Sequence, residues 1–260
     1  MAPRLAQLAA VLALASAALP ASGARAGIRP FIWTWDTQTV PQGDVELEQW
    51  LWVRGKMPAF PATPAAYWIW WGPVLGVTNQ LELAFPFQTV ATATAFSLES
   101  FEVDARWRFF SRNDDGPLQP LLRAAFHQAI RSYPPYSRLD LNAVVSWGSL
   151  SELHATADLG TRVFLPFLAA SSDPVRVELT YAAGVSYPLS PELSAALELF
   201  GEMNVANAPA TTNLPHHFAG ASLGYRKGRV WLTAGLLVGL TPLFPTTPRF
   251  MPRLIWAVAL

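Results

Sequence analysis

Apolar and polar positions alternate along most of this chain with a period of two. In "LDLNAVVSWG", Leu139, Leu141, Ala143, Val145 and Trp147 share one face, while Asp140, Asn142, Val144, Ser146 and Gly148 share the other. In "ELHATADLGTRVFL", Leu153, Ala155, Ala157, Leu159, Thr161 and Val163 oppose Glu152, His154, Thr156, Asp158, Gly160 and Arg162. In "VRVELTYAAGVSY", Val175, Val177, Leu179, Tyr181, Ala183, Val185 and Tyr187 oppose Arg176, Glu178, Thr180, Ala182, Gly184 and Ser186. Successive side chains of a strand point to opposite sides. Segments of roughly ten residues with one apolar and one mixed polar face are the pattern of transmembrane β-strands.

The pattern predicts twelve strands, near 44–54, 65–77, 80–88, 98–110, 118–128, 139–148, 152–164, 175–187, 193–203, 217–226, 229–240 and 250–260. Links after the even-numbered strands are mostly tight, such as Thr78-Asn79 and Lys227-Gly228. Links after the odd-numbered ones are longer and rich in Pro, Ala, Ser or Thr. Short periplasmic turns and longer outer loops, with an even strand count, predict an all-β fold: a closed, antiparallel transmembrane β-barrel of about twelve strands. A soluble sandwich or lipocalin-like barrel also reads as many short strands. It would put its apolar faces inward, and alternation alone does not give direction. Tyr67, Trp107, Phe109, Trp147 and Tyr187, near strand ends, fit interfacial girdles and favour the membrane barrel.

Helical spans are argued against. The uncharged runs 57–80 and 230–248 are punctuated by Pro58, Pro61, Pro64, Gly72, Pro73, Gly76, Gly235, Gly239 and Pro242. A proline in a helix interior costs about 3 kcal/mol. The last strand alternates to Leu260, with Leu254, Trp256, Val258 and Leu260 on one face and Arg253, Ile255, Ala257 and Ala259 on the other. In lipid an open sheet edge leaves backbone groups unpaired, so this strand is expected to close on the first. Trp256, Val258 and Leu260 are also the expected signal for the outer-membrane assembly machinery.

Residues 1–26 read as a secretory signal peptide: Arg4, an apolar stretch from Leu5 to Leu19, then Ala24-Arg25-Ala26, with cleavage after Ala26. With Arg4 and Arg25 removed, sixteen Lys and Arg face eighteen Asp and Glu. A nucleic-acid partner would call for a basic chain, so none is expected. The chain has no cysteine, which excludes disulfides and thiol chemistry. Only 14% of residues are charged, against about 25% in average proteins. The expected location is the outer membrane of a Gram-negative bacterium, with outer-membrane lipid as a partner. Residues 27–43 form an N-terminal periplasmic or plug-like segment, and residues 44–260 form the barrel.

The stretch "WTWDTQTVPQGDVELEQWLWVRG" carries Thr37, Thr39, Val40, Pro41 and Gly43, then Glu46 and Glu48 on the first strand. "WWGPVLGVTNQLELAFPF" adds a Gly76-x-Thr78-Asn79 turn leading into Leu81-Glu82-Leu83. Over about the first quarter of the mature chain these motifs resemble the start of the outer-membrane transporter β-barrels grouped under a phenol-degradation pathway label. Gln42 stands where that pattern commonly has Lys, and Trp50 where it often has a small residue. The resemblance implies a transporter barrel and says little about cargo. By physical reading alone, Pro41 and Gly43 turn the chain into the first strand.

The inward faces carry both signs of charge: Glu46, Glu48, Glu82, Glu102, Asp104, Arg106, Arg108, Arg123, Asp140, Asp158, Arg162, Arg176, Glu178, Glu198, Glu202, Arg226 and Arg253. Buried charges must pair, so these are expected to form an ionic mesh, a polar solute path, or both. Trp50, Trp52, Trp68 and Trp70 fit interface anchors better than an apolar path. His154 near Asp158 and several serines invites a hydrolase reading, but no nucleophile motif accompanies it. His127 reads as a satisfied lumen histidine, and His216-His217 lacks further metal ligands nearby. No catalytic residues, metal or cofactor are expected. The leading expectation is a passive channel or uptake pore for small solutes of unknown identity, apolar and aromatic ones included. A lipase- or acyltransferase-like enzyme and a structural barrel with a closed, salt-bridged lumen are the alternatives.

Overall fold

The computed structural model describes residues 29–54, 66–110, 118–130, 136–166, 175–206, 215–241 and 249–260. The signal-peptide reading and most of the long links lie outside the described residues. Thirteen strand segments form one antiparallel sheet: β1 (Val45–Arg54), β2 (Ala66–Gly76), β3 (Leu81–Ala84), β4 (Phe87–Ala91), β5 (Phe96–Arg108), β6 (Leu118–Ala129), β7 (Tyr136–Gly148), β8 (His154–Pro166), β9 (Arg176–Pro188), β10 (Leu193–Ala206), β11 (His216–Lys227), β12 (Val230–Gly239) and β13 (Phe250–Ala259). Neighbours in sequence pair, except that β3 and β4 both lie between β2 and β5, and β1 pairs with both β2 and β13, so the sheet closes on itself.

Segments β3 and β4 are one stave, which gives twelve staves in all. Both pair with β2 in a single register, Val74 opposite Ala84 and Trp71 opposite Phe87, and both pair with β5. The expected third strand therefore runs on to Ala91, interrupted only at Phe85-Pro86, where Pro86 lacks an N–H for the ladder. Closure is built as the alternation requires. Glu46 lies opposite Ala259 and Trp52 opposite Arg253, and the Leu260 amide donates to the Val45 carbonyl at 2.8 Å.

The outside is apolar. Leu122, Leu141, Leu159, Val185, Leu197 and Leu223 are all exposed, Leu197 at 68%. The outward positions of β6–β13 carry no Asp, Glu, Lys or Arg except Lys227 beside a turn. Water would not tolerate such a belt on a monomer, whereas lipid requires it. Trp107, Phe109, Trp147 and Tyr187 sit on the outside toward the tight-turn end, and Tyr67 toward the other end. Inside and outside are thus set as in a transmembrane barrel.

The tight turns have local causes. The Thr78 hydroxyl accepts from the amides of Gln80 and Leu81 at 3.1 and 2.9 Å. The turn into β1 needs two glycines. Gly43 has φ +82°, and a Cβ on Gly76 would lie 1.8 Å from the Pro41 carbonyl oxygen.

Candidate functional site in the lumen

Residues 29–44 run inside the barrel, toward its tight-turn end. Phe31, Ile32, Thr34, Asp36, Thr37, Thr39 and Val40 are all buried. The segment belongs to no strand, so its backbone groups need other partners. Inward-facing side chains supply them. The Glu198 carboxylate accepts from the amides of Ile32, Trp33 and Thr34 at 2.7, 2.9 and 3.1 Å. Glu82 accepts from the Val40 amide at 2.7 Å. Arg253 donates to the Ile32 carbonyl at 2.7 Å, Arg106 to that of Asp36 at 2.9 Å, and Thr156 to that of Trp35 at 3.1 Å. Ser222 reaches the Pro30 carbonyl at 2.9 Å, and Thr233 reaches that of Arg29. Space comes from two inward positions. A Cβ on Gly184 would lie 2.5 Å from the Phe31 ring, and one on Gly235 would lie 2.8 Å from Ile32 Cδ1. Burial pushes the Asp36 carboxyl up, with Arg106 at 3.7 Å pulling the other way.

Beyond this segment, toward the long-link end, lies a cavity of about 410 Å³. One side is ionic. Arg123 meets Asp104 at 2.8 Å and Glu102 at 3.0 Å, and also bonds Asn142 at 3.2 Å. Arg138 meets Asp140 at 2.7 Å, and Arg162 meets Glu202 at 3.2 Å and Glu178 at 3.7 Å. Asn142 donates to Asp158 at 2.8 Å. The opposite side is aromatic. Trp35 and Trp50 lie 5.4 Å apart, Trp33 and Trp52 5.9 Å, Trp52 and Trp68 6.0 Å, and Trp68 and Trp70 6.2 Å. Arg253 stands against the rings of Trp33 and Trp50, at 4.3 and 4.1 Å.

The remaining charged positions fall into place around this core. Glu46 accepts from the Trp231 indole at 3.0 Å, Glu48 meets Arg29 at 2.6 Å, and Glu82 meets Arg106 at 2.7 Å. Arg108 donates to Gln119 at 2.9 Å. Arg176 stacks on Phe164 at 3.9 Å and meets Glu178 at 3.4 Å. Arg226 does not line the lumen: it has the inward phase of β11 but sits one residue from the strand end and is exposed. The four strand tryptophans are also not interface anchors. Even-numbered positions on β1 and β2 face inward, so Trp52, Trp68 and Trp70 pack ring against ring, and Trp50 packs against Trp35 and Arg253. Trp256, Val258 and Leu260 lie on the outward register of β13, with Leu260 57% exposed.

His154 is buried against Phe31, ring centroids 6.1 Å apart, and among the described residues neither ring nitrogen has a hydrogen-bond partner. It is therefore not paired with a serine or oriented by a carboxylate, as a general base must be. His127 lies 3.5 Å from Glu102, and His217 bonds the Tyr181 hydroxyl. The contributions of Arg29, Trp33 and Trp35 were not legible from strand alternation, because they precede the first strand. The aromatic alternation of "FIWTWDTQTV" was the available signal.

No protein-family model matches this sequence, and no curated protein matches it. Solved structures do resemble the fold. The COG4313 outer membrane channel from Pseudomonas putida F1 matches with TM-score 0.59 and 13% identity over 88% of this chain and 100% of that one. The translocator domain of the autotransporter NalP from Neisseria meningitidis matches with TM-score 0.48 and 12% identity over 83% and 87%. The first likeness establishes the fold class, a closed barrel of the outer-membrane type; at this identity it carries nothing finer.

Proposed function

We propose that this chain is an outer-membrane channel for small solutes in a Gram-negative bacterium, exported by its signal peptide and inserted by the outer-membrane assembly machinery. Residues 29–44 act as a plug at the periplasmic end of its lumen. The observation that carries this reading is the cavity of about 410 Å³, walled by charge on one side and indole on the other and floored by that segment. A filled structural barrel has no use for a cavity with two chemically distinct walls. The likeness to an outer membrane channel supports the reading at the level of fold.

The barrel closes through its strands alone, so the plug can be removed without opening the sheet. Deleting residues 29–40 is expected to leave a heat-modifiable band on gels and to raise single-channel conductance in planar bilayers severalfold. Unchanged conductance with the β-structure intact rejects the plug. The ion-pair network around Arg123 favours a second reading, a rigid structural barrel with a sealed lumen. That reading expects no conductance from either protein.

A further inference from the structure

Resting on the channel reading, we infer that the cavity binds an aromatic carboxylate, with Arg253 as its anion site and the tryptophan wall as its ring site. Five arginines line the cavity. Four are matched: Arg29 meets Glu48 at 2.6 Å, Arg123 meets Asp104 at 2.8 Å, Arg138 meets Asp140 at 2.7 Å and Arg162 meets Glu202 at 3.2 Å. Arg253 is only 9% exposed and, among the described residues, has no carboxylate within 4.0 Å. Its one hydrogen bond goes to the Ile32 carbonyl, and its Nε is buried without an acceptor.

A buried guanidinium normally has an anionic partner. The rings of Trp33 and Trp50, 4.3 and 4.1 Å away, compensate the Arg253 charge in part. They accept no hydrogen bond in its plane. Other orphaned groups on the lining point the same way. Among the described residues, Arg29 Nη1, Trp33 Nε1 and Trp52 Nε1 are buried donors without acceptors, and across the cavity the one orphaned acceptor is Asp104 Oδ1. What the aromatic side lacks is therefore an acceptor, and its missing partner is negatively charged. The surroundings of that gap are apolar: Trp50, Trp52, Trp70, Phe200, Phe218 and Met251 line the same cavity. A small inorganic anion uses the charge but leaves the indole faces bare. A neutral arene uses the faces but leaves Arg253 unmatched. An aromatic ring bearing one carboxylate satisfies both.

The test is calorimetric titration of the refolded full-length mature protein in detergent with benzoate, benzyl alcohol and acetate. Benzoate is expected to bind saturably and at least tenfold more tightly than either of the others. Arg253→Gln should weaken benzoate at least tenfold and leave benzyl alcohol within twofold, while Arg253→Lys should retain most of the benzoate affinity. Trp70→Leu, which leaves the charge in place, should weaken benzoate severalfold and covers the case in which Arg253→Gln does not fold. Equal affinity for benzoate and benzyl alcohol, or displacement of benzoate by equimolar acetate, overturns the proposal, as does unchanged benzoate binding in folded Arg253→Gln. Binding reads the site and conductance reads the channel. Conductance without selective benzoate binding rejects this inference alone, and selective binding without conductance rejects the channel reading alone.

Discussion

The two walls of the lumen solve the problem of burial in different ways. On β5–β8 and β10, charged side chains alternate with outward apolar ones and find partners across neighbouring strands, as Arg123 does with Glu102 and Asp104. On β1 and β2, the inward positions Trp50, Trp52, Trp68 and Trp70 carry indoles, and Arg253 of β13 stands against the rings of Trp50 and Trp33. Among the described residues that line the cavity, the ionic wall leaves only Asp104 Oδ1 without a hydrogen-bond partner. The aromatic wall leaves donors over: the indole nitrogens of Trp33, Trp52 and Trp68 lack acceptors. One wall reads as structure, and the other as structure with an unmet demand. That contrast is why the proposed solute site lies on the aromatic side.

The largest break comes from removing the strand that carries Arg253. β13 pairs with β1 and β12 along its length. Deleting residues 251–260 opens both edges in lipid, where each unpaired backbone group costs several kcal/mol. The expected result is no assembly: no outer-membrane fraction and no difference between heated and unheated samples on gels. A truncated protein that still inserts and resists denaturant would sink the closed barrel.

Next comes the ionic wall. Arg123→Met leaves Glu102 and Asp104 side by side, with His127 at 3.5 Å and Arg138 at 3.7 Å from Glu102 as the remaining partners. Removing one partner of a buried pair costs about 3–5 kcal/mol. Urea unfolding in detergent should show a loss of that order. Adding Asp104→Leu should recover part of it, because the orphaned carboxylate goes too. A silent Arg123→Met would mean that the two walls do not differ as argued.

The contrast between inside and outside is sharpened by a pair of arginine substitutions on adjacent staves. Leu159 faces out on β8 at 56% exposure, and Thr180 faces in on β9, directly opposite Glu202. Leu159→Arg places a charge in hydrocarbon and should cost about 2–4 kcal/mol. Thr180→Arg gains a carboxylate neighbour and should cost less. Reversal of this order in folding yield would invert the barrel.

How far the sequence revealed this lumen follows from the same physics. Alternation places a side chain on a face, so Asp140, Arg162 and Glu198 were legible as inward residues, and Leu159 and Leu197 as outward ones. It does not say how far along the barrel axis a residue lies, which is why Arg226 was expected in the lumen and stands exposed at a rim. Nor does it weigh one fate of an indole against another. Tryptophan suits both an interface and an apolar core, so Trp50, Trp52, Trp68 and Trp70, on inward or rim positions by alternation, were read as anchors and not as lumen wall. The seat of residues 29–44 was beyond periodicity altogether. It depends on Gly184, Gly235, Ser222 and Glu198, brought together from β9, β12, β11 and β10 only when the barrel closes.

The smallest effect is expected at Trp52, and it tests the aromatic wall from within. Trp52 packs edge-on to Trp33 and tilted against Trp68. Each such pair is worth about 0.5–1.5 kcal/mol beyond area burial, so Trp52→Leu forfeits about 1–3 kcal/mol of ring contact. It also removes a buried indole N–H with no acceptor, a burden of about 1–3 kcal/mol. The two terms oppose each other and are similar in size, so what remains is chiefly the apolar area that Leu does not replace, and unfolding in urea should shift by about 1–2 kcal/mol. The matching change on the ionic side, Arg123→Met, has no such offset. If Trp52→Leu instead destabilises as much as Arg123→Met, the indole N–H is not a burden in the folded protein. The aromatic wall would then be as self-satisfied as the ionic one, and the case for a missing acceptor there would lose its footing.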